Sequence, residues 1–167
     1  EKGVRLRATV SEFGPTLMAK ILSLNDTQQG ILSIIFKYCD DEGIALVDLK
    51  DLRKTLQYVV GEGKADIQDE YGQISSASVN TIMRKVIELE QQGAEKFFGE
   101  KSFDVNDFIF TNSEGQGQIS IIRLTDIQNK PKLFSTFMLG LLAELYELLP
   151  EVGDDDKPKL CLFIDEA

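Results

Sequence analysis

Near its carboxyl end the chain carries the run Cys161-Leu162-Phe163-Ile164, continuously apolar, which stops at Asp165-Glu166-Ala167. An apolar run of this length with no polar alternation reads as a strand buried on both faces, as in a parallel sheet. An acidic pair directly after it has the form of a Walker B element. There the carboxyl end of the strand presents two acidic side chains to the magnesium and the attacking water of a bound nucleotide. In that reading Asp165 holds Mg2+, usually through water, and Glu166 orients and deprotonates the attacking water. The plainer reading is that an acidic pair marks where a strand leaves the core, since an apolar run followed by an acid is a common pattern.

The preceding residues favour the first reading. Ile119-Ser120-Ile121-Ile122-Arg123-Leu124 is β-branched and nearly all apolar, as expected for a second doubly buried strand. Pro131 opens a long helix to about Leu149, with Phe134, Phe137, Met138, Leu141, Leu142, Leu145 and Leu148 on a broad apolar face. Pro150, Gly153 and Asp154-Asp155-Asp156 end it. Strand, helix and strand make a βαβ unit with parallel strands and a right-handed crossover. Ligands of such sheets sit beyond the carboxyl ends of the strands, which is where Asp165 and Glu166 fall.

Upstream the pattern is helical. Residues 4–10 alternate like a strand. Gly14-Pro15 then opens a helix carrying Leu17, Ile21 and Leu24. Asn25-Asp26 caps a second, with Ile31, Ile34, Ile35 and Tyr38 on one stripe and Gly43 at its end. Asp48 caps a third with Leu49, Leu52, Leu56 and Val59 facing inward. Residues 61–75 are polar and glycine-bearing and read as a loop, with room for a short turn of helix. Ser75 or Ser76 starts a fourth helix with Val79, Ile82, Met83, Val86 and Leu89 inward and Gly93 as its carboxyl cap. Residues 103–110 read as a turn of helix around Asp104, and Gly115-Gln116-Gly117 as a turn.

Composition narrows the partners. The 167 residues carry 18 basic and 28 acidic side chains, a net charge of −10. That balance disfavours free nucleic acid and anionic membrane, which need clustered Lys and Arg. Two cysteines, Cys39 and Cys161, and no histidine rule out a disulfide framework or a zinc site; both thiols sit in apolar stretches and are expected to be reduced core residues. The longest apolar stretch, 133–149, is broken by Glu144 and Glu147, so no membrane span is expected, and the default location is cytoplasmic. The first residue is Glu1 and the segment at 4–10 reads as a strand already under way, so both ends look cut.

Other chemical motifs fail on inspection. A phosphate loop requires G-x-x-x-x-G-K-[ST]. At Gly61-Glu62-Gly63-Lys64-Ala65 the first Gly falls on Tyr58, Ala65 replaces the hydroxyl, and a helix precedes it instead of a strand. Gly115-Gln116-Gly117 lacks the third Gly of a dinucleotide fingerprint. Asp154-Asp155-Asp156 and Asp104-Val105-Asn106-Asp107 lack the spacing of a calcium loop and read as solvated turns. Tyr38, Tyr58, Tyr71 and Tyr146 are scattered and give no stacking platform for nucleic acid.

Several stretches resemble the bacterial HerA-like family, predicted ATPases related to the HerA and FtsK DNA motors. They are Leu22-Ser23-Leu24-Asn25-Asp26-Thr27-Gln28-Gln29-Gly30, Asp48-Leu49-Lys50-Asp51-Leu52-Arg53, Leu89-Glu90-Gln91-Gln92-Gly93, and Leu148-Leu149-Pro150-Glu151-Val152-Gly153-Asp154 followed by Asp156-Lys157-Pro158-Lys159-Leu160 and Phe163-Ile164-Asp165-Glu166-Ala167. The resemblance implies an α/β fold: part of a RecA-like P-loop NTPase core ending in Walker B, with an α-helical insertion. Residues 1–14 would be the edge of the ATPase core, 15–99 the insertion, and 100–167 the βαβ part. It implies ATP and Mg2+ as cofactors of the intact protein, Asp165 as the magnesium-associated residue and Glu166 as the catalytic one. The Walker A loop, the polar sensor and any arginine finger would lie outside these residues, leaving this stretch inactive alone. DNA would be met through parts outside the chain, and a homo-oligomer stays open. The alternative is that the helical block at 15–99 is a protein-interaction module without catalytic activity.

Overall fold

In the computed structural model, residues 6–101, 104–124, 127, 129–149, 153 and 157–164 are described. The elements are helical: α1 (Val10–Ile21), α2 (Asp26–Asp41), α3 (Leu49–Val60), α4 (Lys64–Tyr71), α5 (Ser76–Gln91) and α6 (Pro131–Leu148), with short 3-10 turns at Ala94–Lys96 and Val105–Ile109.

Helix starts follow their caps. Asn25 and Asp48 each accept the backbone N–H three residues on, and the side chain of Gln28 or Asp51 returns to the cap's own N–H. Ser75 caps α5 in the same direction, and Gly93, at φ 86°, reverses the chain just after it. The first helix begins earlier than Gly14-Pro15 suggests. Thr9 and Glu12 form a reciprocal cap ahead of Val10, and Gly14 (φ 69°, ψ 169°) kinks the helix before Pro15 restarts it. The polar stretch after α3 contains α4, whose amino end at Gly63 has no side-chain cap.

The expectation of an α/β, RecA-like P-loop core is overturned. Among the described residues there is no strand or sheet, only two isolated bridges, Ala8 with Phe98 and Thr111 with Gly117. A doubly buried strand needs a hydrogen-bonded neighbour and cover on both faces. The 119–124 segment has neither: Ile119 and Ile121 are 89% and 83% exposed, while Ile122 and Leu124 lie on the second apolar cluster. It is an extended segment laid on a helical surface by one side. The 160–164 run behaves alike. Leu160 packs on that cluster, Phe163 is 90% exposed, and Cys161, expected in the core, faces solvent. The expected strand at 4–10 shrinks, in its described part, to the Ala8 bridge.

The main core is shared by α1, α2, α3 and α5, with Met18, Leu32, Ile35, Leu52, Leu56, Val79, Ile82 and Val86 fully enclosed. Burying each such side chain contributes about 1.5–3 kcal/mol. A smaller cluster gathers Val105, Phe137, Leu141 and Leu145. The apolar stripe of α6 is rotated from the expected one: Leu133, Thr136, Phe137, Gly140, Leu141 and Leu145 are buried, while Leu142 and Leu148 join Leu139 outside.

Aromatic rings join the two cores. Phe13 meets Phe97 and Phe98 edge-to-face at 5.6 and 5.2 Å, and Phe97 meets Phe137 at 5.6 Å. On its other side the Phe13 ring lies where a Cβ on Gly140 would stand, 2.9 Å from two ring carbons. The absent side chain is what lets α6 approach α1.

A charged group lies at the same junction. Lys101 Nζ donates to Glu12 Oε1 at 2.9 Å, while the Thr9 N–H and hydroxyl donate to Glu12 Oε2. Burial pushes the Glu12 carboxyl up, but the Lys101 and Thr9 bonds outweigh it and hold Glu12 below its ordinary range. Glu144 of α6 has no such help. Its Oε2 is buried with no hydrogen-bond partner, and burial raises its pKa.

Two outcomes test this packing. Gly140→Ala gains helix propensity of up to about 1 kcal/mol, yet overpacking against Phe13 costs about 1–3 kcal/mol. The urea midpoint should therefore fall, and adding Phe13→Leu should make the Ala less harmful than it is alone. An unchanged midpoint for Gly140→Ala would show that the close approach is wrong. Glu144, with a raised folded pKa, opposes folding once it ionises, so its penalty grows as pH rises through the carboxylate range and is absent below it. Glu144→Gln should thus raise the melting temperature at pH 7 and leave it unchanged near about pH 3. Solvent screens this half-buried group, so the gain should stay under about 1 kcal/mol.

Candidate functional site

The sequence places its chemistry at Asp165 and Glu166, and both lie outside the described residues, as do Asp154, Asp155 and Asp156. The structure does describe the approach to the acidic pair. Residues 157–164 run without helix or ladder, and Leu162, Phe163 and Ile164 are exposed.

Elsewhere an open cleft of about 660 Å³ lies between the α3 amino end, α5 and the 95–100 segment. It is built by backbone. The Ala8 N–H donates to Phe97 O at 3.2 Å, the Gly99 N–H to Ala8 O at 3.1 Å, and the Ser11 N–H to Leu46 O at 2.9 Å. These bonds carry Arg7 over Gly99, where a Cβ would stand 3.2 Å from a guanidinium nitrogen. Arg7, Lys50, Glu90, Glu95 and Glu100 line the cleft. Arg53 donates to Glu90 at 2.9 Å.

A helix amino end such as that of α3 offers free N–H groups to an anion. Here the chain's own carboxylates take them. Asp48 accepts from Lys50 and Asp51 N–H, and Asp51 accepts from Val47 and Asp48 N–H. With Glu90 and two further glutamates on the lining, the cleft is a poor phosphate cradle and does not stand in for the phosphate loop the sequence lacks.

The motifs rejected on sequence fall where that rejection requires. Gly61 closes α3 and Gly63 opens α4, so Lys64 begins a helix and does not follow a strand. Gly115 (φ 74°) sits in a tight turn whose carbonyl and amide groups are held by Asn112. Asp104 is the cap of the 105–109 turn: its side chain accepts from the Asn106 backbone and side-chain amides, which holds its carboxyl below the usual range. Among the described residues no group of His, Cys, Asp and Glu side chains could hold a metal ion. Cys39 is buried, and burial pushes its thiol up, so it is an inert core residue as expected. Among the described residues no helix is long and apolar enough to cross a membrane.

One reading of scattered residues is corrected. Tyr38, Tyr58 and Tyr71 are brought together: Tyr38 lies nearly parallel to Tyr58 (6.2 Å, 19°) and perpendicular to Tyr71 (6.2 Å, 90°). Tyr146 remains apart, 86% exposed on α6. The available signal was positional. Each of the three lies in the last four residues of its helix, and α2, α3 and α4 follow one another through short turns.

The family model described as helicase HerA-like C-terminal matches residues 1–167. No curated protein and no solved structure matches the chain.

Proposed function

The chain belongs to the helicase HerA-like C-terminal family, and from that premise we propose that it serves a cytoplasmic ATP-hydrolysing motor of the HerA type, acting on DNA through parts of the protein outside residues 1–167. The observation that carries this reading is the family match across the whole stretch. The sequence order supports it, an apolar run followed at once by Asp165-Glu166.

The donor set suits the cofactor. The Asp165 carboxylate offers a hard oxygen ligand, the kind Mg2+ accepts beside the oxygens of a nucleotide. Bound there, Mg2+ would neutralise charge building on the phosphate oxygens during transfer. Asp165 would hold and orient this centre. Glu166 accepts a hydrogen bond from the attacking water, aims it, and takes its proton as the oxygen bonds to phosphorus and the bond to the ADP oxygen breaks. The phosphate-binding N–H groups and Lys have to come from elsewhere, since neither the 61–65 loop nor the α3 amino end provides them.

The test is made in a protein carrying both this region and a phosphate-binding loop. Glu166→Gln keeps size and shape and removes the base, so steady-state hydrolysis should fall by about two to four orders of magnitude while nucleotide affinity survives. Asp165→Asn should weaken magnesium-dependent nucleotide binding as well. Wild-type turnover in Glu166→Gln would remove the assignment.

A further inference from the structure

We propose that the surface formed by Tyr38, Tyr58 and Tyr71, at the joined carboxyl ends of α2, α3 and α4, docks a basic segment of a partner protein through its arginine or lysine side chains. This proposal is independent of the chemistry assigned to Asp165 and Glu166.

Three observations converge on a cationic occupant. The first is the rings. Tyr58 stays 38% exposed although Gly63 is pressed against it, so close that a Cβ there would fall 2.0 Å from a ring carbon. A ring held this firmly on a surface loses little freedom when a guanidinium or ammonium packs on it. Burial pushes the Tyr38 pKa up to about 12. The Tyr71 hydroxyl donates to Asp41 at 2.7 Å, which raises its pKa too. The Tyr38 and Tyr71 hydroxyls therefore stay neutral at physiological pH.

The second is charge. Asp41, Glu42 and Glu70 surround the hydroxyls closely enough to influence them, all three exposed. Lys37 is bound to Asp41. Its bond and the Tyr71 bond hold the Asp41 carboxyl below its usual range, so it remains ionised.

The third is backbone. A helix carboxyl end carries about half a negative charge, which Lys or Arg in the last turn normally balances. None of α2, α3 and α4 has a basic residue in its last turn. The N–H groups of Glu42, Gly43 and Ile44 already bond the last α2 carbonyls, and those of Gly61 and Gly63 bond Tyr58 O, so these ends add only the unbalanced remainder of their dipoles to the carboxylates. Tyr58, Asp41, Glu42 and Glu70 are all exposed on this surface. That suits a side chain presented by another protein better than a small ligand needing enclosure.

The probe is a capped peptide of three arginines spaced by glycine, titrated into the 167-residue chain at about 0.15 M salt. The chain has four tyrosines and no tryptophan, so tyrosine emission reports chiefly on this surface. A saturable change is expected. Tyr58→Phe should bind within about twofold of wild type and Tyr58→Leu about two- to fivefold more weakly, as for one exposed cation–aromatic contact. Glu42→Gln with Glu70→Gln should weaken binding and flatten its salt dependence. No saturable change overturns the proposal, and so does equal binding by Tyr58→Leu, which would mean attraction to the net charge alone. Spermidine binding as tightly as the peptide would overturn it in favour of a small cation. Self-association that Tyr58→Leu abolishes, with no peptide binding, would overturn it in favour of a second copy of the chain.

Discussion

Phe13 is wedged between Gly140 on α6 and the Phe97–Phe98 pair, and much of the architecture is arranged around that contact. The kink at Gly14 sets the direction in which α1 leaves the ring. The bare backbone of α6 admits it. Phe97 then passes the contact on to Phe137, which belongs to the second cluster. The small cluster buries too little to stand alone, so its order depends on this chain of rings reaching a core that has its own helices.

How far the fold could be read from sequence follows from which interactions are local. The helices α2, α3 and α5 were legible because Asn25, Asp48 and Ser75 cap within three residues of themselves and the apolar spacing agrees. The α4 helix was nearly invisible: Gly63 makes no cap bond, and Ile67 is its one buried side chain. The extended runs misled because β-branched, apolar composition describes a strand only when neighbours exist to bond it. Ile119 and Ile121 have the composition and lack those neighbours, and Cys161 shares that situation.

The site was legible to a different degree. Asp165 and Glu166 stand out by sequence order alone, and the family match across residues 1–167 supports a relation to HerA-type helicases without assigning a role to those side chains. The tyrosine cluster was hidden for the opposite reason. Residues 38, 58 and 71 have no common period, and only the turns between three consecutive helices bring their ends to one place. Long-range convergence of this kind leaves no mark in a local pattern.

The helix caps have a kinetic side. Thr9, Asn25, Asp48 and Ser75 close the positive ends of α1, α2, α3 and α5 with the chain's own oxygens. The negative ends of α2, α3 and α4 have no basic side chain in the last turn to balance them. Added to a net charge of −10, this gives the molecule a field of one dominant sign. Within a Debye length of about 8–10 Å that field slows the approach of a polyanion and speeds the capture of a cation, and rising ionic strength narrows the difference. What meets this surface first in a crowded solution is thus decided partly by diffusion in that field, before any side chain has made contact.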